Sequence, residues 1–252
     1  MEIELSERVT PGATVTHHPN GWKLEIPAGA KGTYRMAQLD DYAHTARRAF
    51  LWQPALTVQL RARVSAPDLP GTWGFGLWND PFGLSIGFGG SPRRLPTFPE
   101  TAWFFHASPP NSLALDDRLP AQGFFAGSFH SALHGGFALA SLPALPLLAI
   151  RPLSRQLRHF ASRIIREEAV SIPVDVTRWH EYHLQWLHEG CIFKVDGQTI
   201  LQSRCTPSAP LGLVLWIDNQ YAGWSSRGEI RYGTLNNTEA WLEVENLQIG
   251  KG

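Results

Sequence analysis

The chain has 252 residues, 22 Lys+Arg balance 22 Asp+Glu, and charged residues make up only 17%. That balance leaves no global field to draw in nucleic acid, so no nucleic-acid partner is expected. No apolar run reaches the roughly 18 residues of a membrane span, so no transmembrane segment is expected either. The 23 Gly, 19 Pro and 10 Trp suit many short strands joined by turns and argue against a helical protein. The length suits one β-sandwich domain spanning 1–252. The acidic start, Met1-Glu2-Ile3-Glu4, lacks the apolar centre of a secretory signal, so a cytoplasmic location is expected.

In chain order, strands are predicted at 14–16, at 22–26, around Tyr34 and at 56–64, the last alternating apolar against polar as a half-buried strand does. Residues 71–90 hold seven glycines among Trp and Phe. No Gly-x-Gly-x-x-Gly opens a helix there, which excludes a dinucleotide site and leaves glycines that permit close packing beside bulky rings. From 137 to 169 the period turns helical. Leu153, Leu157, Phe160 and Ile164 fall on one stripe, with Arg155, Arg158, Ser162 and Arg166 opposite, and Pro152 suits a first turn. Residues 142–150 are apolar but hold Pro143 and Pro146, at most a short or broken helix. A helical insertion at about 138–168 is expected, carrying five Arg against Glu167 and Glu168. It packs on the sandwich, serves as a homodimer contact, or lies on a membrane surface.

The last third is the most legible part. Tyr182, Leu184 and Trp186 alternate with polar neighbours, and Asp196-Gly197 is the type I′ hairpin signal. Residues 198–202 return antiparallel, 211–217 form an apolar strand, and 242–249 alternate to the end. This reads as an all-β, two-sheet antiparallel sandwich. Counting back from the hairpin puts Cys191 opposite Gln202 and Cys205 three residues further, too far for a bridge, so two reduced thiols are expected.

The order Trp179-His180-x-Tyr182-x-Leu184-x-Trp186, Phe193-x-Val195-Asp196-Gly197-Gln198, an apolar strand ending at Trp216, and the closing Val244-Glu245-Asn246-Leu247-Gln248-Ile249 resembles the second half of the concanavalin A-like lectin/glucanase jelly roll. Within that superfamily it is most similar to family 16 glycoside hydrolases, and Gly71-Thr72-Trp73-Gly74-Phe75-Gly76-Leu77-Trp78 resembles the strand preceding their catalytic strand. Those enzymes carry Glu-x-Asp-x-Glu or Glu-x-Asp-x-x-Glu on one strand, because a retaining mechanism needs two carboxylates about 5–5.5 Å apart. The matching segment is Glu100-Thr101-Ala102-Trp103-Phe104-Phe105. Glu100 stands at the nucleophile position, while Ala102 and Phe104 or Phe105 replace the others, so the resemblance implies the scaffold without the paired carboxylates. It also implies calcium near the chain ends, with Glu245 at the matching position; no other cofactor is expected.

The leading function is non-catalytic binding of a glycan or similar polyhydroxylated ligand in an aromatic groove on the concave sheet, held by Trp stacking. The candidate ligand-binding residues are Trp78, Glu100, Trp103, His106, Trp216, Asp218, Asn219 and Gln220, with Trp73 and Trp224 as further aromatics. The rival readings are a diverged hydrolase pairing Glu100 with Asp218, a lyase using His106 or Tyr221 as base, and an interaction protein working through the Arg-rich insertion. His130 and His134, four apart, match zinc spacing only on a helix.

Overall fold

The computed structural model describes residues 4–81, 94, 97–133, 148–208 and 210–251. Sixteen strands appear among them. In chain order they are β1 (Ser6–Val9), β2 (Thr14–His18), β3 (Gly21–Ile26), β4 (Met36–Asp40), β5 (Leu56–Val64), β6 (Thr72–Trp78), β7 (Thr101–Ala107) and β8 (Gly123–Ser131). Then follow β9 (Ile165–Ser171), β10 (His180–Leu187), β11 (Gly190–Val195), β12 (Gln198–Ser203), β13 (Gly212–Asp218), β14 (Gln220–Trp224), β15 (Ile230–Thr234) and β16 (Ala240–Lys251). The first sheet runs β1-β4-β13-β6-β7-β8-β9, the second β12-β11-β10-β5-β16-β3-β2, and β14-β15 form a separate hairpin. All pairings within the two large sheets are antiparallel. This is the predicted sandwich.

Each strand of the first sheet sends alternate side chains to opposite faces. Trp73, Phe75 and Leu77 of β6, Ala102 and Phe104 of β7, and Leu213, Leu215 and Ile217 of β13 turn inward. There they meet Leu56, Val58, Leu60, Tyr182, Leu184, Trp186 and Phe193 of the second sheet. The opposite, outer face of the first sheet carries a second apolar cluster, Tyr42, Phe50, Trp103, Phe105, Phe125, Val214 and Trp216. A sheet facing plain solvent has no need of such a layer.

One α-helix, α1 (Arg151–Ile164), occurs among the described residues beside a short 3-10 helix at Arg47–Ala49, and no helix there is long and apolar enough to cross a membrane. The expected insertion is corrected at two points. Residues 165–168 are not helical but begin β9, which pairs with β8 from Phe125↔Ser171 to Ser131↔Ile165. An edge strand bonded on one side tolerates the charges of Arg166, Glu167 and Glu168, which is why the sequence concealed it. The buried stripe is also shifted by one residue. Ser154, Arg158 and Ala161 turn inward, while Phe160 is 56% exposed. Arg158 causes the shift. Its guanidinium donates to the carbonyls of Trp224 (2.9 Å) and Ala114 (3.1 Å) and to Asp117 (2.5 Å), so the helix docks through a satisfied buried charge rather than an apolar stripe. The part of the insertion from 134 to 147, with His134, lies outside the described residues; His130 is on strand β8, where a spacing of four does not form a helical zinc pair.

Both cysteines are free and buried. A register shift between Phe193 and Lys194 places Cys191 opposite Ser203, one residue beyond the expected Gln202.

Candidate functional site

The outer face of the first sheet is laid out in rows that follow from strand register. One row reads Gln38, Trp216, Gly74, Phe105, Phe125 across β4, β13, β6, β7 and β8. The next reads Asp40, Val214, Gly76, Trp103, Gly127, Ala169. The third reads Gly212, Trp78, Thr101, Phe129, Glu167. Glycines alternate with large rings, and Trp216 and Trp103 lie against the gaps that Gly74 and Gly76 leave. A Cβ on Gly74 would sit 2.8 Å from the Trp216 ring and 2.4 Å from the Phe104 carbonyl, and one on Gly76 2.7 Å from the Trp103 Cβ. Gly74→Ala is therefore expected to cost about 1–3 kcal/mol through overpacking, read as a lower urea midpoint with an unchanged slope.

The rings so seated form a continuous platform. Trp78 and Trp216 stack at 6.2 Å with planes 3° apart. Trp103 adjoins both, at 6.1 Å from Trp78 and 5.7 Å from Trp216, and Phe105 lies 4.8 Å from Trp103. Trp103 and Trp216 are each 7% exposed, whereas Trp78 is half-buried and forms the accessible edge. Polar groups border the platform. The Trp216 indole N–H donates to Thr72 Oγ1 (3.0 Å), and Trp78 donates to the Tyr42 hydroxyl (2.5 Å). Gln38 Nε2 donates to Asp40 Oδ2 (2.7 Å). Trp103 Nε1 and Thr101 Oγ1 are buried without a hydrogen-bond partner. On one flank Leu113 packs on the cluster, and the following residues of its loop are tied to α1 by Arg158 and to β9 by the Asp116 amide, which donates to Glu167.

Of the sequence candidates, Trp78, Trp103 and Trp216 come together here. Asp218 joins the border indirectly: its Oδ1 accepts from Thr72 N (3.2 Å), Thr72 Oγ1 (2.9 Å) and Gln220 N (3.1 Å), and its Oδ2 from the Tyr34 hydroxyl (3.3 Å). Burial pushes its carboxyl up to about 6, against the pull of those donors. Asn219 is fully buried. Its amide donates to Thr33 O and Leu235 O and its oxygen accepts from Arg35 N, so it knits loops together. Gln220 is half-buried at the start of β14.

Glu100 and His106 belong elsewhere. Glu100, at 5% exposure, accepts from Ser131 N (3.0 Å), Ser208 N (3.1 Å) and His130 Nδ1 (3.2 Å). His106 turns toward the inter-sheet core, stacked on Trp73 at 5.3 Å and 10°; burial lowers its pKa to about 4, so the ring is neutral. The outer-face positions of β7 are Thr101, Trp103 and Phe105, which pair across the rows with no carboxylate between them. Glu245 faces the Arg61 guanidinium at 3.8 Å, a cation where calcium would need further oxygen donors, and no group of three or more His, Cys, Asp or Glu suited to a metal occurs among the described residues.

Sequence reasoning missed Gln38, Tyr42, Thr72, Phe125 and Phe129. Gln38 was legible as the one amide between Ala37 and Leu39 on a buried strand, and the Gly-x-Gly of β6 signalled rings on its neighbours.

No family model matches the chain, and no curated protein sequence matches it. Solved structures do. A family 16 endo-glucanase from Bacteroides ovatus superposes with a TM-score of 0.53 over 99% of this chain and 96% of its own, at 8% identity. LamAcat from Zobellia galactanivorans gives 0.50 over 97% and 90%, at 16% identity. A legume lectin-like domain from Entamoeba histolytica gives 0.49 over 98% and 90%, at 9% identity. With the sheet order above, the chain has the concanavalin A-like jelly-roll fold. Its structural neighbours include family 16 glucanases, the group its motifs resemble.

Proposed function

We propose that this protein binds a carbohydrate, without cleaving it, on the outer aromatic face of its first sheet. The observation that carries this reading is the Trp78–Trp216–Trp103 platform, stacked on glycine seats and bordered by the Tyr42, Gln38 and Thr72 polar groups. Sugar rings present one apolar face of C–H groups, which stacks on indole, and a rim of hydroxyls, which needs a few fixed donors and acceptors. The half-buried Trp78 edge is where a ring would enter. The structural neighbours include a family 16 endo-glucanase, which makes β-glucan oligosaccharides the first probe. Non-catalytic binding is supported by Thr101, Trp103 and Phe105 at the outer positions of β7, where a retaining pair would require two carboxylates.

The test is a calorimetric titration with β-glucan oligosaccharides, with the mixture followed by chromatography. Binding without products is the expected outcome, and Trp78→Ala should weaken it at least about tenfold, or 1.4 kcal/mol. Release of shorter sugars would assign an enzyme, and equal affinity in the Trp78 variant would move the site off this face.

A further inference from the structure

Helix α1 docks by one face and leaves its apolar stripe facing outward. The face that turns inward is Ser154, Arg158 and Ala161. Hydrogen bonds hold it: Arg158 donates to Trp224, Ala114 and Asp117, and the Trp224 indole N–H donates to Ser154 Oγ (2.9 Å). The apolar residues lie elsewhere. Ile150, Leu153, Leu157, Phe160 and Ile164 follow one another three or four residues apart, which makes one stripe along an α-helix. Leu153, Leu157 and Ile164 are half-buried, while Ile150 is 51% and Phe160 56% exposed. Two of the six exposed large apolar side chains among the described residues therefore sit on one short helix.

The surface around this stripe is basic. Residues 150–164 hold four arginines and no acid. The β14–β15 hairpin, joined to α1 by Trp224 and by the Arg151–Glu229 ion pair, adds Arg227 and Arg231 against Glu229 alone. Residues 150–164 and 220–234 thus carry a charge of +5 in a chain whose total is zero. Widening the count to the bordering Asp116, Asp117, Glu167 and Glu168 also brings in Arg118, Arg166 and Arg204, so four positive charges remain in excess with every group ionised. Glu229 is shared by Arg151 (2.7 Å) and Arg231 (2.6 Å). Arg155, Arg163 and Arg227 are exposed and form no ion pair among the described residues.

We propose that α1 rests on an anionic phospholipid surface, with Ile150 and Phe160 entering the acyl boundary and the exposed arginines against headgroup phosphates. An apolar stripe beside an arginine-bearing face is the pattern of helices that lie in a membrane interface. Each basic residue near such a surface is drawn to it, and the guanidinium fork matches phosphate oxygens. A purely acidic polymer would leave the stripe in water, and a second copy of this chain would bring two basic surfaces together. An anionic bilayer answers both features. The proposal does not rest on the aromatic face, so either reading can fail alone.

The experiment is flotation of the full chain with vesicles of phosphatidylcholine and phosphatidylserine in equal parts, and with vesicles of phosphatidylcholine alone. Binding should favour the anionic vesicles at least about tenfold and weaken as salt is raised. Arg155→Gln and Arg163→Gln combined should lower it at least about tenfold, and Phe160→Ser at least about threefold. Both are surface changes, checked for an unaltered thermal midpoint, and Trp78→Ala should leave vesicle binding intact. No binding to anionic vesicles, or equal binding to neutral ones, would overturn the proposal. Binding that needs the arginines but is indifferent to Phe160→Ser would assign a polyanion site, and a solution dimer broken by Phe160→Ser would assign the stripe to a second copy; either result also overturns it.

Discussion

Replacing Phe104 by alanine should lower the unfolding free energy by about 3–5 kcal/mol, the range for truncating a buried phenylalanine. Phe104 is 2% exposed at the centre of the inter-sheet core. Its ring meets Phe75 at 5.4 Å and Phe124 at 6.5 Å on its own sheet, and Tyr182 at 5.1 Å and Phe193 at 5.4 Å on the other. It therefore joins the two layers, and four ring contacts cannot all close around an alanine without moving strands. Against a typical total of about 5–15 kcal/mol, such a loss leaves a marginal fold. Urea denaturation followed by tryptophan fluorescence measures it, and a loss below about 1 kcal/mol would mean the sheets are held together elsewhere.

The second large effect is a pair of opposed pH dependences. The His106 pKa is lowered by burial to about 4 from 6.5. Between those values the unfolded chain takes up a proton that the folded chain refuses, so stability present above about pH 6.5 is lost as pH falls toward 4. Asp218 runs the other way. Its carboxyl is pushed from 3.8 up to about 6, so the folded chain holds a proton the unfolded chain releases. Its contribution is full below about 3.8 and is lost as pH rises through 6. Each is worth on the order of 3 kcal/mol over its window, at about 1.36 kcal/mol per pKa unit. Asp41, likewise pushed up to about 6 by burial, has the sign of Asp218.

Differences between variants isolate the two groups. The stability of Asp218→Asn relative to the parent should rise by roughly 3 kcal/mol from pH 4 to pH 7, because the asparagine has no charge to bury. That of His106→Phe should fall by a similar amount over the same interval, since the parent regains stability as its histidine's protonation ceases to favour unfolding. Denaturant titrations at several pH values check this. Two parallel, flat differences would show that neither group titrates differently on folding.

How much of this could be read beforehand depends on how each element is stabilised. Strand β5 was legible to its ends because Leu56, Val58, Leu60, Ala62 and Val64 alternate with partly exposed partners. The hairpin was legible because Asp196 and Gly197 both take positive φ, at 49° and 78°. Strand β9 was hidden, because at a sheet edge its Arg166, Glu167 and Glu168 need no apolar alternation and its start continues the helical period of α1. The inward face of α1 was misread for a related reason: Arg158 is buried by bonds to Trp224, Ala114 and Asp117, partners remote in sequence.

The aromatic face shows the same division. Trp78, Trp103 and Trp216 were nameable as candidates because their strands were, but their joint platform depends on the register that pairs Trp216 with Gly74 and Trp103 with Gly76. Glu100 and His106 drew attention by residue type. Residue type alone does not say which face of a strand a side chain takes, and an offset of one residue sends it to the other side of the sheet.

The most direct test of the central claim is to follow the indole N–H resonances of the tryptophans while a β-glucan oligosaccharide is added. The account predicts that Trp78, Trp216 and Trp103 shift together with one binding constant, while Trp73 and Trp186, buried between the sheets, stay in place. Shifts confined to other tryptophans, or none at saturating sugar, would contradict a carbohydrate site on the outer face of the first sheet.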